Sequence, residues 1–323
     1  MISLKKNRKQ LDEQVIQARR QHRRKSLVMI KRNWLLYLVL LPAVLYIATF
    51  CYAPMYGLQI AFRNFRIADG IMGSEWAGLK WFERFFNTPR FWSILKNTLT
   101  ISLYSLAVSF PLPIILALIL NNVKNAKYKK FAQTITYMPH FISTVVLVGM
   151  MSVFFSPRSG VVNTLLGLLG IEPVYFMGSP EYFSHMYVWS GVWQTMGWNS
   201  IIYMAALAGV DPTLHEAAMI DGANKLKRVI HIDLPTIVPT MSILLIMNFG
   251  KIMSVGYEKV YLMQNDLNQS TSEIISTYVY KMGVLSQQFS YSTAIGLFNN
   301  VINFLLVIIM NRIVKKLSGS GLW

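Results

Sequence analysis

Long apolar runs alternate with shorter polar segments along this chain of 323 residues. The runs cover residues 35–56, 97–120, 131–155, 186–207, 236–257 and 292–310. Each is close to the roughly 20 residues that a helix needs to cross a bilayer. The pattern therefore predicts an all-α membrane protein with six transmembrane helices.

The distribution of basic residues predicts the orientation of these helices. Lys and Arg are concentrated in an N-terminal arm, residues 1–33, in the connection 124–130 and after residue 311. Because cytoplasmic segments of membrane proteins carry an excess of basic residues, both termini are expected in the cytoplasm. The expected organisation is the arm 1–33, a first span with an external or interfacial segment over 34–96, a five-helix core over 97–311, and a tail over 312–323.

Composition agrees with a membrane protein and argues against nucleic-acid binding. The chain is 54% hydrophobic and 14% charged, and its formal net charge is +17. Much of the positive excess lies in the arm, whereas a nucleic-acid binder carries it on a folded soluble face. Besides setting topology, a basic arm of this kind can lie on the membrane as a helix that binds anionic lipid.

A polar loop, residues 208–235, separates the fourth and fifth runs and falls on the cytoplasmic side. Asp211 is a good N-cap and Pro212 suits the first helical position, so a short helix is expected to begin there. Gly222 can adopt the left-handed conformation that ends it. A second helix is expected over 224–233, ending before Pro235. The loop should form a small helical knob on the membrane surface.

The spacing within this loop matches a known signature. Glu-Ala-Ala, three residues, Gly, nine residues and Ile-x-Leu-Pro resemble the signature loop of permease subunits of ATP-binding-cassette importers. The matching residues are Glu216, Ala217, Ala218, Gly222, Ile232, Leu234 and Pro235. Residues 91–99, 258–262 and 273–280 resemble the maltose-type carbohydrate branch and its oligosaccharide and polysaccharide subgroup. The large external domain of the maltose permease has no counterpart in the short segment between the third and fourth spans.

The resemblance implies a type I importer permease fold, multi-pass in the bacterial cytoplasmic membrane. It implies a heterodimer with a second permease, two ATPase subunits that bind ATP and Mg, and an extracytoplasmic solute-binding protein. Coupling to the ATPases would involve Glu216, Ala217, Ala218, Asp221, Gly222, Ile232, Leu234 and Pro235.

No catalytic residue, metal site or cofactor site is predicted for the chain itself. The sequence has no phosphate-binding Gly-x-x-x-x-Gly-Lys-Ser/Thr loop, since Gly250-Lys251 is followed by Ile252. His215-Glu216 begins like a zinc-protease helix, but Met219 occupies the position of the second histidine. The chain is therefore expected to be a transport subunit rather than an enzyme.

A path for sugars needs aromatic platforms and hydrogen-bonding groups, because sugar rings have apolar faces and hydroxyl edges. Nine residues supply this chemistry on the last three spans: Trp193, Gln194, Trp198, Asn199, Tyr203, Asn248, Lys251, Asn299 and Asn303. Interfacial aromatics and interhelical packing are the alternative roles for them. Lys251 would favour an acidic sugar if it faces the cavity, or else it pairs with an acid or extends to the membrane surface.

Three other functions remain for comparison. An ion-coupled sugar carrier would carry charged relay residues within its spans and an internal repeat. A membrane enzyme would need paired carboxylates or a nucleophile beside a base at membrane depth. An importer permease for a solute other than sugar would share the 208–235 loop and differ in the cavity.

Overall fold

The computed structural model describes Met29 and residues 32–323. The predicted basic arm, residues 1–33, lies almost entirely outside the described residues. The chain divides into two compact units, one ending at Gln59 and one beginning at Ile60. Helices dominate both units.

The first unit is built around the first apolar run. Helix α1, Trp34–Tyr46, continues through a π-helical turn, Ile47–Tyr52, into a 3-10 helix, Ala53–Phe62, that extends into the second unit. Together these elements form a continuous apolar segment of 29 residues, Trp34–Phe62. That length is sufficient for the first predicted span.

The second unit begins with a small subdomain built around a β-hairpin. Strands β1, Arg63–Asn64, and β2, Glu75–Trp76, pair antiparallel, with Arg63 opposite Trp76. Helices α2, Gly70–Gly73, and α3, Lys80–Phe86, flank the second strand. The Trp81 indole donates a hydrogen bond to the Arg63 carbonyl oxygen at 2.9 Å, which fixes the hairpin against α3.

The second predicted span consists of α4, Phe91–Ser109, and α5, Pro111–Asn121. The two helices divide at Phe110, directly before Pro111, because proline lacks the N–H that would continue the ladder. They nevertheless form one candidate span of 31 residues.

The third predicted span is not one straight helix. Residues 126–141 form α6, Ala126–Tyr137, and a 3-10 turn, Met138–Phe141, and α7, Thr144–Phe154, then leaves at an angle of 99°. The backbone is extended at Ile142 and Ser143, and the Ser143 hydroxyl accepts a hydrogen bond from Val146 N to begin α7. A new N-cap inside the run therefore replaces the expected continuous helix.

Helix α8, Val161–Leu168, leads to α9, Pro180–Leu207, which is 28 residues long. A Cβ atom at Gly197 would overlap the carbonyl of Thr136, so this glycine allows α9 and α6 to cross closely. In the described part of the chain, four helices are long and apolar enough to cross a membrane, or five with the bent pair, and α9 is not among them. Polar residues such as Gln194 and Asn199 lower its hydropathy.

The fifth predicted span is α12, Leu234–Phe249, and it ends before Lys251. The segment after it, residues 258–291, contains many buried side chains. It folds into α13, Tyr257–Met263, α14, Gln269–Ser272, and α15, Ile275–Tyr280. Val260, Ile274 and Thr277 have no exposed surface. The last helix, α16, Phe289–Ser318, is 30 residues long.

Candidate functional site

The 208–235 loop contains the short helix that its sequence predicts. Helix α10, Pro212–Ile220, begins after Asp211, whose side chain accepts a hydrogen bond from Thr213 N at 2.9 Å. This bond lowers the pKa of the Asp211 carboxyl, because it stabilises the ionised form. Gly222 has a positive φ of 75°, and Ala223 N bonds the Ala218 carbonyl at 2.8 Å to close the helix end.

Helix α10 exposes apolar side chains around much of its surface. Ile220 is 86% exposed, and Leu214 and Met219 are each 52% exposed. Glu216 and Ala217 are exposed beside them. Several exposed apolar side chains on one short helix are typical of a protein-binding surface.

The loop returns to the membrane helix without the predicted break before Pro235. Helix α11, Lys225–Arg228, runs through a π-helical turn, Val229–Asp233, directly into α12. Leu234 N bonds the Val229 carbonyl, one residue farther back than in an α-helix. The wider turn accommodates the Pro235 ring, which would otherwise meet a carbonyl of the preceding turn.

A buried carboxylate connects the knob to this wide turn. Asp233 has no exposed surface, and its Oδ1 atom lies 3.2 Å from Nε2 of His215 on α10. The geometry is not that of a hydrogen bond, so the imidazole attracts the carboxylate through charge when it is protonated. Asn122, after α5, donates a long hydrogen bond of 3.5 Å to the other oxygen. One side chain thus links two other segments of the chain to the turn before α12.

A cavity of about 530 Å³ lies between α4, α5, α9 and the end of α12. Of the nine predicted path residues, five line it: Trp198, Asn199, Tyr203, Asn248 and Lys251. Aromatic, amide and hydroxyl groups therefore face one space, as sugar binding requires.

The other four predicted path residues lie elsewhere. Trp193 lines a separate, apolar cavity of about 580 Å³ beside α7. The Gln194 amide donates to the Ile142 carbonyl at 2.7 Å, where the third span bends. Asn303 is buried, and it bonds Met253 N at 3.0 Å and the Ser254 hydroxyl at 2.9 Å. Asn299 also reaches Ser254, at 3.4 Å.

Trp198 forms the flat surface of the cavity. Its ring stacks on His140, with 4.3 Å between ring centres and 7° between the planes, and it remains 43% exposed. His140 therefore packs as a partner of an interhelical aromatic pair. The exposed indole face is available to the apolar face of a ring.

Lys251 lies in the turn that follows α12, where its backbone N–H bonds the Asn248 carbonyl at 3.0 Å. Its side chain is exposed and lines the cavity. Within residues 32–323 it forms no salt bridge, and no Asp or Glu lines the cavity with it. The part of the cavity next to Lys251, after the end of α12, is therefore electropositive.

Sequence reasoning missed the serine side of the cavity and one buried cation. Ser102, Ser105 and Ser109 line the cavity from α4. Their spacing of three and four residues is a helical-face signal that the sequence already contains. Lys259 on α13 is only 9% exposed, and its one sequence signal is its place among apolar and aromatic residues.

No group of three or more metal-ligating side chains occurs within the described part of the chain. Lys251, the lysine of the Gly-Lys pair, faces the cavity from a tight turn after α12 rather than from a phosphate-binding loop.

Residues 109–319 match the family described as "Binding-protein-dependent transport system inner membrane component". The chain belongs to this family, and the resemblance inferred from the 208–235 loop is confirmed. It is the permease subunit of an ATP-binding-cassette importer of the carbohydrate type.

Curated relatives extend over nearly the whole chain. The polygalacturonan/rhamnogalacturonan transport system permease protein YteP of Bacillus subtilis (strain 168) is 42% identical over 305 residues, 94% of this chain and 95% of that protein. Protein LplB of the same organism is 43% identical over 294 residues, 91% of this chain and 92% of that protein.

The fold is also that of a solved transporter chain. A structure described as "Crystal structure of bacterial alginate ABC transporter in complex with alginate pentasaccharide-bound periplasmic protein" contains a chain that is 39% identical to this one. The TM-score is 0.84, and the match covers 91% of this chain and 98% of that chain.

Proposed function

We propose that this protein forms, with a second permease, the translocation path for an acidic oligosaccharide or polysaccharide. The cavity carries the proposal: an exposed tryptophan face, hydroxyl and amide groups, and the unpaired Lys251 face one space that no carboxylate lines in the described residues. An anionic glycan offers the complementary chemistry. Polygalacturonan and alginate, named for the relatives, are both acidic glycans.

The proposed assembly follows from the family. Six spans cross the bacterial cell membrane, with α9 as the fourth and both termini in the cytoplasm. An extracytoplasmic solute-binding protein delivers the substrate, and two ATPase subunits bind ATP and Mg while this chain binds no cofactor. Burial in the assembled core would compensate for the polar residues of α9.

We further propose that the ATPase binds the face of α10 between Glu216 and Gly222. The exposed apolar side chains of Met219 and Ile220 support this role, because such a surface is unfavourable in water. The contacts of Asp233 with His215 and Asn122 offer a route from α10 to the helices that line the cavity.

Substrate charge is tested by uptake in cells that express Lys251→Gln, Lys251→Arg or wild type. Galacturonate oligosaccharides and their methyl esters differ chiefly in charge. We expect Lys251→Gln to reduce uptake of the acidic form selectively and Lys251→Arg to retain it. Lys316→Gln, which removes a lysine from the last turn of α16, is the matched control. If the ratio of acidic-form uptake to methyl-ester uptake were the same in wild type and in all three variants, the proposed role of Lys251 would be contradicted.

ATPase docking is tested by co-purification. Ile220→Asp places a charge on a side chain that is 86% exposed, so the fold should tolerate it. We expect the variant to retain the second permease and lose most of the ATPase. Ile67→Asp, at a side chain that is 72% exposed beside the β-hairpin, is the control. Retention of the ATPase by both variants would argue against α10 as its docking surface.

A further inference from the structure

Lys259 is a buried cation that forms no salt bridge with a carboxylate of the described residues. It is 9% exposed, and among residues 32–323 no Asp or Glu forms a salt bridge with it. Its ammonium Nζ donates a hydrogen bond to the Tyr187 carbonyl at 2.8 Å and lies 4.8 Å from the centre of the Tyr187 ring. Burying an ammonium without a counter-charge is strongly unfavourable, so such a group suggests a functional role.

The surrounding chain leaves room for this arrangement. A Cβ atom at Gly191 would lie 3.3 Å from Lys259 Nζ, and one at Gly256 would lie 3.0 Å from the Tyr187 hydroxyl. Larger side chains at either position would displace the ammonium or the ring. Two glycines therefore permit the contact between Lys259 and Tyr187.

Tyr187 connects the buried cation to the cavity. Tyr187, Val255 and Gly256 all line the cavity, and Lys259 follows within one turn of Gly256. The ammonium thus lies behind a wall formed by a protein side chain. Because an aromatic wall screens charge much less than water does, the positive potential of Lys259 extends into the cavity.

We infer that Lys259 is a specificity-determining residue whose buried charge favours carboxylate-bearing sugars over neutral ones in the cavity. The inference rests on the proposed function of glycan import. It differs from the proposed role of Lys251 because Lys251 is exposed at the cavity surface, whereas Lys259 acts through Tyr187. A glycan carboxylate supplies the counter-charge that the described residues do not.

Burial lowers the pKa of Lys259 to about 8, since desolvation disfavours the ammonium. The charged fraction therefore falls as pH rises through about 8. Selectivity for an anionic glycan should be present below that pH and decline above it. The quotient kcat/KM follows the ionisation of the free transporter, so it is the appropriate measure.

The helices around Lys259 carry several ionisable groups. Helix α7 has none, α15 carries Tyr278 and Tyr280, and α13 itself carries Tyr257, Glu258 and Tyr261. Helix α4, whose Ile101 packs in the same core cluster as Val260, carries Lys96 and Tyr104. On α9 the ionisable residues are Glu181, Tyr182, His185, Tyr187 and Tyr203. Of these, Tyr187 alone contacts the Lys259 ammonium.

The experiment uses proteoliposomes that contain the transporter purified with its partner subunits, together with its solute-binding protein. The probes are a galacturonate trisaccharide and its fully methyl-esterified form, and the readout is the ratio of their kcat/KM values. We expect Lys259→Met to lower this ratio by about tenfold. Lys259→Arg should keep the ratio and remove its change from about pH 7 to about pH 9, because arginine stays protonated. Lys316→Met should match wild type.

Equal losses for both probes in Lys259→Met would assign a purely structural role and overturn the inference. If Lys259→Met does not assemble, the pH dependence of the wild-type kcat/KM ratio is the test. A ratio that falls as pH rises supports the inference, and a ratio that stays constant overturns it. Transport of neither probe by wild type would instead contradict the proposed function itself.

Discussion

The contact between His215 and Asp233 should stabilise the packing of α10 against the turn that precedes α12. His215→Ala removes the imidazole and leaves a carboxylate that has no exposed surface. Among the residues that the structure describes, its remaining side-chain partner is Asn122, through a long hydrogen bond of 3.5 Å. Loss of a partner from a buried charged group costs about 3–5 kcal/mol. The His215 side chain is 24% exposed, and water can partly replace it. We therefore expect a local loss of about 2 kcal/mol.

This loss should appear as local opening of α10. A change of about 2 kcal/mol corresponds to roughly a 30-fold larger opening constant. Hydrogen–deuterium exchange of the amides of residues 216–223 in the purified transporter measures it. Asp233→Asn in the His215→Ala background should recover part of the protection, because no charge is then left buried.

His231→Ala is the matched control for this experiment. His231 is exposed in the same loop, and its ring Nδ1 lies 2.9 Å from the Lys227 carbonyl oxygen. Its removal should alter exchange of residues 216–223 by less than about threefold. If His215→Ala exchanged no faster than His231→Ala, the buried contact would contribute nothing to holding α10, and the reasoning would be refuted.

Three further variants test the packing and the helix ends. Gly197→Ala forces α9 away from Thr136 and should cost about 1–3 kcal/mol, which would lower the unfolding temperature in detergent. Gly149→Ala, where an added Cβ meets open space, should leave the unfolding temperature unchanged. Gly222→Ala places a Cβ in the left-handed region at a cost of about 1–2 kcal/mol and should speed exchange at the end of α10, with Gly222→Asn less affected. Asp211→Ala should cost about 1 kcal/mol of helix stability by the same exchange measurement, and Asp211→Ser should retain most of it. An unchanged unfolding temperature in Gly197→Ala would contradict the close crossing of α9 and α6. Unchanged exchange rates in Gly222→Ala or Asp211→Ala would contradict their roles at the ends of α10.

Helix α10 was predictable because its signals are local. Asp211, Pro212 and Gly222 act through hydrogen bonds and backbone angles within a few residues of themselves, so the sequence contains all that is needed. The wide turn before Pro235 was not predicted. A proline signals that a regular helix is disturbed, but whether the chain breaks or widens depends on how Asp233 and its neighbours are packed.

The cavity was only partly predictable. Trp193 and Trp198 are five residues apart on α9 and were both predicted to line one sugar path, yet they line different cavities. Two side chains five residues apart point about 140° away from each other around an α-helix. They can line one cavity only if that cavity borders a wide part of the helix surface. That width is set by the positions of α4, α7 and α12, which the sequence of α9 does not contain.

The sequence by itself determined the membrane class, the helical knob of the 208–235 loop and membership of the importer permease family. Hydropathy, capping and motif spacing are properties of neighbouring residues. Only the tertiary structure showed the 99° bend in the third span, the burial of α13 to α15 and the position of Lys259 behind Tyr187. Each of these depends on contacts between residues far apart in the chain, where side-chain volume and charge are balanced across several helices.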